Sequence, residues 1–151
     1  MRFGVRIACV CLLAYTALAG APAAAKEPAA DKMIAKLNQT RAKHGLKPLR
    51  SSPTLGRSAA RFARWMMRRD FFAHRSRVSA NHRKFRRLGE AIAMHSGRKR
   101  KIAGTVRSWL RSPPHRKFVL TRSLTWVGVG MSRGRFGGAR KVIWVLQVGK
   151  R

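Results

Sequence analysis

Apolar and polar positions along the chain recur with periods that predict three helices and a closing pair of strands. The first helix is predicted to be capped by Asp31, to carry Met33, Ile34 and Leu37 on its apolar face, and to end near Gly45. The acidic residue suits the helix start because its side chain can accept a hydrogen bond from a free backbone N–H. The pattern therefore predicts an amphipathic helix, with residues 26–32 as a short polar lead.

A stronger helix signal follows. Ser52 directly before Pro53 is typical of a helix start, because serine can cap the first turn and proline needs no hydrogen-bond partner there. Apolar residues then recur at offsets of four, seven, eight and eleven, as one helix face requires: Leu55, Ala59, Phe62, Ala63 and Met66. We expect this helix to end near Arg69 and to lead into residues 70–74.

The central part of the chain contains one irregular segment, one strand signal and one further helix. Residues 75–87 are basic and lack periodicity, which predicts an irregular connection with one helical turn near residues 81–85. Apolar residues then alternate over 88–94. The third helix should begin near residue 102 and stop at Ser112-Pro113-Pro114, because proline ends helices, with His115 directly after the break.

The last third of the chain is predicted to form a β-hairpin. Two strand-like runs, 125–132 and 141–148, are separated by a segment containing Gly134, Gly137 and Gly138. Together with the helices, this hairpin predicts an α+β fold in which helices cover both faces of a mostly antiparallel sheet.

The first 25 residues have the order of a secretory signal. Arg2 and Arg6 precede an apolar run over 7–19, and small residues follow up to Ala25, where we expect cleavage. The run has 13 residues, whereas a membrane-spanning helix needs about 20. An uncleaved anchor is the alternative interpretation. Cleavage predicts a secreted or periplasmic protein, and it removes Cys9 and Cys11, so that no disulfide holds the mature chain together.

The charge of the chain is extreme, with 35 Lys+Arg against 4 Asp+Glu in 151 residues, a net charge of +31. So few acids argue against catalysis by a carboxylate cluster, and 45% hydrophobic residues argue against a wholly disordered basic tail. Such a chain attracts anions, and for an exported protein these are anionic envelope polymers or lipids. The polyanion-binding candidates are Arg61, Arg64, Arg68, Arg98, Lys99, Arg100 and Lys101. A generally basic, soluble surface is the alternative.

Recognition of specific nucleic-acid sequences is disfavoured. The basic clusters lack interleaved aromatic residues, which a base-stacking platform would use.

Five segments in order carry a resemblance to a known family. They are 37–41 with 45–49, Phe71-Phe72-Ala73-His74, Gly89-Glu90-Ala91-Ile92-Ala93, Trp109–Arg116 (WLRSPPHR), and 126–130 with 142–145. These segments resemble the CAP superfamily of cysteine-rich secretory, antigen 5 and pathogenesis-related 1 proteins, in its bacterial single-domain form. The resemblance spans nearly the whole mature chain and places a CAP domain at residues 33–149.

The resemblance implies a three-layer α-β-α sandwich with a cleft in which histidines and glutamates can hold a divalent metal such as zinc. The matching residues here are His74, Glu90 and His115. Two departures matter: Ala91 replaces the asparagine that usually follows the glutamate, and no second cleft glutamate is available because no Asp or Glu follows Glu90.

The sequence is compatible with three functions. The first is a binding protein that is not robustly catalytic and uses the His/Glu cleft, the second a metal-dependent peptide or ester hydrolase, and the third an envelope polyanion binder. The alternative to metal binding is a pair of hydrogen-bonded histidines in a polar cleft. For Glu90, a structural carboxylate paired with arginine competes with a metal-linked or general-base role.

Overall fold

A computed structural model of the protein describes residues 28–74, 78 and 84–151. The predicted signal segment, His82 and most of the predicted connection over 75–87 lie outside the described residues. The elements are α1 Pro28–Ala42, β1 Arg50–Ser51, α2 Pro53–Arg68, β2 Arg87–Ser96, α3 Ile102–Arg111, α4 Pro113–Leu120, β3 Trp126–Phe136 and β4 Ala139–Lys150. Of the helices described, none has the length and hydropathy to cross a bilayer.

The four strands form one mixed sheet in the order β1-β3-β4-β2. Strand β4 pairs antiparallel with both β3 and β2. Strand β1, which the sequence pattern did not predict, pairs parallel with β3 through Arg50 opposite Trp126 and Ser51 opposite Val127. The α+β prediction is confirmed, and the short parallel strand makes the sheet mixed.

Strand β4 is the centre of the molecule, since residues 142–149 are all buried. Trp144 and Leu146 belong to the core that α1, α3 and α4 cover, whereas Ile143 and Val145 pack in the core under α2. A strand with helices on both faces is a continuous apolar run in sequence. The expected three-layer α-β-α sandwich is confirmed.

Helix α2 follows the prediction closely, but α1 begins earlier than predicted. Ser52 Oγ accepts a hydrogen bond from Leu55 N at 3.4 Å and caps α2. Helix α1 starts at Pro28, so Asp31 lies in its first turn, and Ala29 is fully buried. The segment interpreted as a polar lead is helical from Pro28 onward because Ala29 is part of the core.

The two prolines after Ser112 begin a helix as well as ending one. Helix α3 ends at Arg111, and Pro113 and Pro114 form the first turn of α4, where a missing N–H costs nothing. The prediction that His115 follows a simple break was wrong, because His115 lies in the first turn of α4. Ser112 makes no side-chain cap hydrogen bond there.

The closing hairpin is longer and its turn tighter than predicted. Gly137 and Gly138 form the turn, both with positive φ (+53° and +76°). This combination suits the two-residue turns that match the twist of the flanking strands. Gly134, predicted to lie in the loop, belongs to β3.

Helix α2 packs on β3 with direct contact between the two backbones. A Cβ atom at Gly128 would collide with the backbone at Leu55 and Gly56, and one at Gly130 would collide with Ala59 and Ala60. Glycine at these two positions therefore lets the helix axis approach the sheet more closely than any other residue would allow.

We predict that Gly130→Ala destabilises the protein by about 1–3 kcal/mol, because the added methyl forces α2 away from the sheet. Gly56→Ala is the control: its Cβ would meet nothing within 4 Å, and alanine should favour the helix. Thermal and urea unfolding measure both variants. Equal stability of Gly130→Ala and the wild type would show that the close approach of α2 to β3 does not contribute to stability.

Candidate functional site

His74 is positioned by the way α2 ends. Asp70 adopts a left-handed backbone conformation (φ +45°), which turns the chain out of the helix. Its Oδ1 accepts a hydrogen bond from Gly137 N at 3.1 Å, tying this turn to the β3–β4 hairpin. The following residues then run toward β2, where His74 lies with 46% of its side chain exposed.

Glu90 is a buried carboxylate on β2 with only 5% of its side chain exposed. Gln147, its register partner on β4, donates from Nε2 to Glu90 Oε2 at 3.0 Å. His74 Nδ1 lies 3.1 Å from Glu90 Oε1 and must carry the donated proton, because a carboxylate only accepts. Within the described part of the chain, the hydrogen-bond partners of Glu90 are therefore a histidine and an amide, where arginine was one expectation.

His115 reaches the same place from the other layer of the sandwich. Helix α4 approaches β2 closely because residue 89 is glycine: a Cβ there would collide with the ring of Phe118. His115 Nε2 thereby comes 3.2 Å from His74 Nε2. Burial, reinforced by the neighbouring His74, lowers the pKa of His115 below its usual value near 6.5. The ring is therefore neutral at neutral pH.

The two histidine rings meet directly in the cleft. Glu90 accepts the Nδ1 proton of His74, and Nε2 of His74 lies 3.2 Å from Nε2 of His115. The order Gln147, Glu90, His74, His115 is a chain of polar contacts from the buried sheet to the solvent-facing cleft.

The histidine pair has the dimensions of a two-nitrogen metal site. Two nitrogens bound to one tetrahedral zinc ion, each at about 2.0–2.1 Å, lie roughly 3.3 Å apart. The observed Nε2 to Nε2 distance is 3.2 Å. Among the residues described, no group of three or more His, Cys, Asp or Glu side chains has metal-binding geometry. Glu90 contacts Nδ1 of His74, on the far side of the ring from this pair.

The other described histidines lie outside this cluster. His44 is exposed and its Nδ1 lies 2.9 Å from the carbonyl of Thr40. His95 Nε2 contacts Thr105 Oγ1 at 3.3 Å, and burial together with Lys101 lowers the pKa of His95. In the part of the chain that the structure describes, these two histidines contact a backbone carbonyl and a hydroxyl, whereas His74 contacts a carboxylate.

The basic candidates fall into two exposed groups. Arg61, Arg64 and Arg68 lie on α2, and the first two line a groove beside β3. The second group lies in the connection between β2 and α3. It consists of Arg98, Lys99, Arg100 and Lys101, of which Arg100 is half-buried. The two groups belong to different elements.

Three residues around these sites escaped the sequence analysis. Gln147 donates a hydrogen bond to Glu90. It could have been noticed in the sequence as the polar residue within the apolar run 142–148. Arg57 and Arg133 line the groove with Arg61 and Arg64. Arg57 could have been found from its spacing of four and seven residues to Arg61 and Arg64.

Comparisons with known proteins place this architecture in a family. The model of the cysteine-rich secretory protein (CAP) family matches residues 34–148. The uncharacterized protein YkwD of Bacillus subtilis is 30% identical over 107 residues, covering 66% of this chain, and the match covers 40% of that protein's length.

Solved structures share the fold at low sequence identity. An extracellular protein of Bacillus anthracis with an SCP domain has a TM-score of 0.63 at 20% identity, covering 82% of this chain and 40% of that one. An outer surface protein of Borrelia burgdorferi has a TM-score of 0.58 at 20% identity, covering 80% and 91% of the two chains. With a family model matched across most of its length and the same fold in these structures, the chain belongs to the cysteine-rich secretory protein (CAP) family.

Proposed function

We propose that this protein is a secreted or periplasmic CAP-domain binding protein whose cleft takes a divalent metal, zinc first, on His74 and His115. The observation that carries the proposal is the 3.2 Å separation of the two Nε2 atoms, with a buried carboxylate behind one of them. Export is supported by the signal-like residues 1–25 and by relatives described as extracellular and as an outer surface protein.

Glu90 acts in this proposal as the group that orients His74. A carboxylate that accepts the Nδ1 proton of a histidine holds its tautomer and aims Nε2 at the metal, an arrangement common around zinc ligands. Gln147 fixes the second oxygen of Glu90. His74 and His115 supply two nitrogens, and the remaining coordination positions are open to water or to a ligand in the cleft.

Binding is favoured over robust hydrolysis by the use already made of Glu90. A bound zinc ion supplies Lewis acidity, but hydrolysis also needs a base near the attacking water. Both oxygens of Glu90 are engaged, one by His74 and one by Gln147, and the chain has no Asp or Glu after Glu90. Metal-dependent peptide or ester turnover that His115→Ala abolishes would favour the hydrolase instead.

The exposed basic groups support a second role in binding anionic envelope polymers or lipids. Arg98, Lys99 and Lys101 are exposed at one connection, next to the half-buried Arg100. Like charges this close in sequence repel one another, and an anion relieves that repulsion.

Zinc titration tests the cleft directly. We predict that the metal-stripped protein binds about one equivalent, and that free zinc at 100 times the Kd adds about 2.7 kcal/mol of stability. The His74→Ala/His115→Ala double variant should lose both effects. His44→Ala is the matched control, since His44 is exposed outside the cleft. Equal heats for the wild type and the double variant would reject the metal site.

Glu90→Gln separates orientation from ligation. We predict that this variant retains zinc binding with an affinity about 10–100-fold weaker, as expected when the group behind a ligand is lost. In the wild type, ¹⁵N NMR should show His74 protonated at Nδ1, and the variant should lose this single tautomer. An unchanged His74 tautomer in Glu90→Gln would contradict the assigned role.

Polyanion binding is tested with heparin and with vesicles rich in phosphatidylglycerol. We predict that neutralising Arg98, Lys99 and Lys101 weakens binding at physiological salt more than neutralising three exposed arginines on other elements, Arg107, Arg111 and Arg122. Screening weakens generic charge effects at that salt, so a local site should survive it. Equal losses in both triple variants would indicate generic charge alone.

A further inference from the structure

A groove of about 980 Å³ runs along one edge of the sheet, between helices α1 and α2. Its floor includes Gly128, Val129 and Met131 of β3, and β1 with the start of α2 closes one end. Strand β2, which carries Glu90, is at the opposite edge of the sheet. The groove is therefore separate from the histidine cleft.

The floor of the groove is the outer edge of β3, where Val129 and Met131 are buried (4% and 6% exposed) and Arg133 is exposed. Arg50 N donates to Thr125 O, just before β3, at 2.8 Å, and Ser52 N donates to Val127 O of β3 at 2.7 Å. The chain then turns into α2. Backbone groups of a strand point alternately to its two neighbours, so those of Val129, Met131 and Arg133 point to the same edge. Across the residues described, no strand pairs with β3 beyond Val127 on this side.

One wall of the groove is strongly cationic. Arg57, Arg61 and Arg64 are exposed and recur along one face of α2. Arg133 of β3 also lines the groove and is exposed, but its alternation with Val129 and Met131 places it on the α1 face of the sheet. The other wall, from α1, is different: it presents Ile34 and Ala30 together with Asp31, which already has an interaction within the protein.

The two unlike walls specify the pattern of a strand that would fit between them. Side chains of an added strand point alternately to the two faces of the sheet. On this sheet one face carries α1 and the other α2. Acidic residues at every second position would meet the arginines, and the intervening residues, facing Ile34 and Asp31, would be apolar or small.

A second copy of this chain is a poor occupant. Each copy carries a net charge of +31, and the exposed Arg133 and Arg135 on β3 would repel an identical edge. Charged residues on an open edge normally protect a protein from such pairing. The same charges attract an acidic strand.

We propose that this groove is a peptide-binding site that takes an extended segment with alternating acidic and apolar residues, added as a strand to the free edge of β3. Backbone hydrogen bonds to Val129, Met131 and Arg133 provide the affinity, and the arginines of α2 select for the acidic positions. This site is independent of the metal proposal, because no residue of the histidine cluster lines it.

The test uses the full chain and a fluorescein-labelled hexapeptide of alternating Glu and Val, followed by fluorescence anisotropy at physiological salt. Two control peptides have the same charge as the alternating peptide. One is a block sequence of three Glu and three Val. The other is the alternating peptide with every second amide N-methylated. We expect each to bind at least about tenfold more weakly, since the first loses the alternation and the second loses the strand hydrogen bonds.

Protein variants locate the site. Arg57→Ala/Arg61→Ala/Arg64→Ala should weaken binding of the alternating peptide by roughly tenfold or more. Arg107→Ala/Arg111→Ala/Arg140→Ala, with the same loss of charge on other elements, should leave it within about twofold. Circular dichroism confirms that both variants are folded. The His74→Ala/His115→Ala variant should bind the peptide normally, so failure of the metal proposal and failure of this one are distinguishable.

Three results would overturn the proposal. One is equal binding of the alternating, block and N-methylated peptides. A second is an equal loss in both triple arginine variants, which would mean generic charge. The third is that phosphatidylglycerol vesicles or heparin, and not the peptide, depend on Arg57, Arg61 and Arg64, which would assign the groove to a polyanion.

Discussion

Direct backbone contact between α2 and β3 sets the geometry of the whole molecule. Gly128 and Gly130 let the helix lie directly on the strand, and a side chain at either position would lift it. The end of α2 leads to His74 by way of Asp70, which is anchored to the hairpin turn at Gly137. The outer face of the same helix forms one wall of the groove. The positions of His74 and of the groove therefore follow from how closely one helix approaches one strand.

The histidine cleft contains one of the few acidic residues of this protein, Glu90. Glu90 is buried, and from the described part of the chain it accepts hydrogen bonds from His74 and Gln147. A second glycine contact, between Gly89 and Phe118, brings α4 and His115 close to this edge of the sheet. A buried carboxylate thus orients His74, and a glycine contact brings His115 to it from a different layer.

Scarcity of acids also shapes the way the protein accommodates its cations. Arg41 is only 1% exposed, and burial lowers its pKa. Its guanidinium donates to the backbone carbonyls of Lys47, Val119, Thr121 and Leu124 at 2.7–3.5 Å. These bonds join α1 to the end of α4 and the loop after it. Backbone carbonyls here take the place that carboxylates have in proteins of balanced charge, while Arg57, Arg61 and Arg64 of α2 are exposed.

Local pattern was enough to predict the helical and strand periods, the cap of α2 and the α+β class, and the family resemblance identified the two histidines and the glutamate. These features depend on spacing and on short-range hydrogen bonding, which neighbouring residues specify. Other features emerged only from the folded chain: Glu90 stands behind His74 with Gln147, Pro113 begins a helix, and Arg57 shares a groove with Arg133. Contacts of that kind join residues far apart in the chain, and they are set by the packing of layers and the register of strands, which no local pattern records.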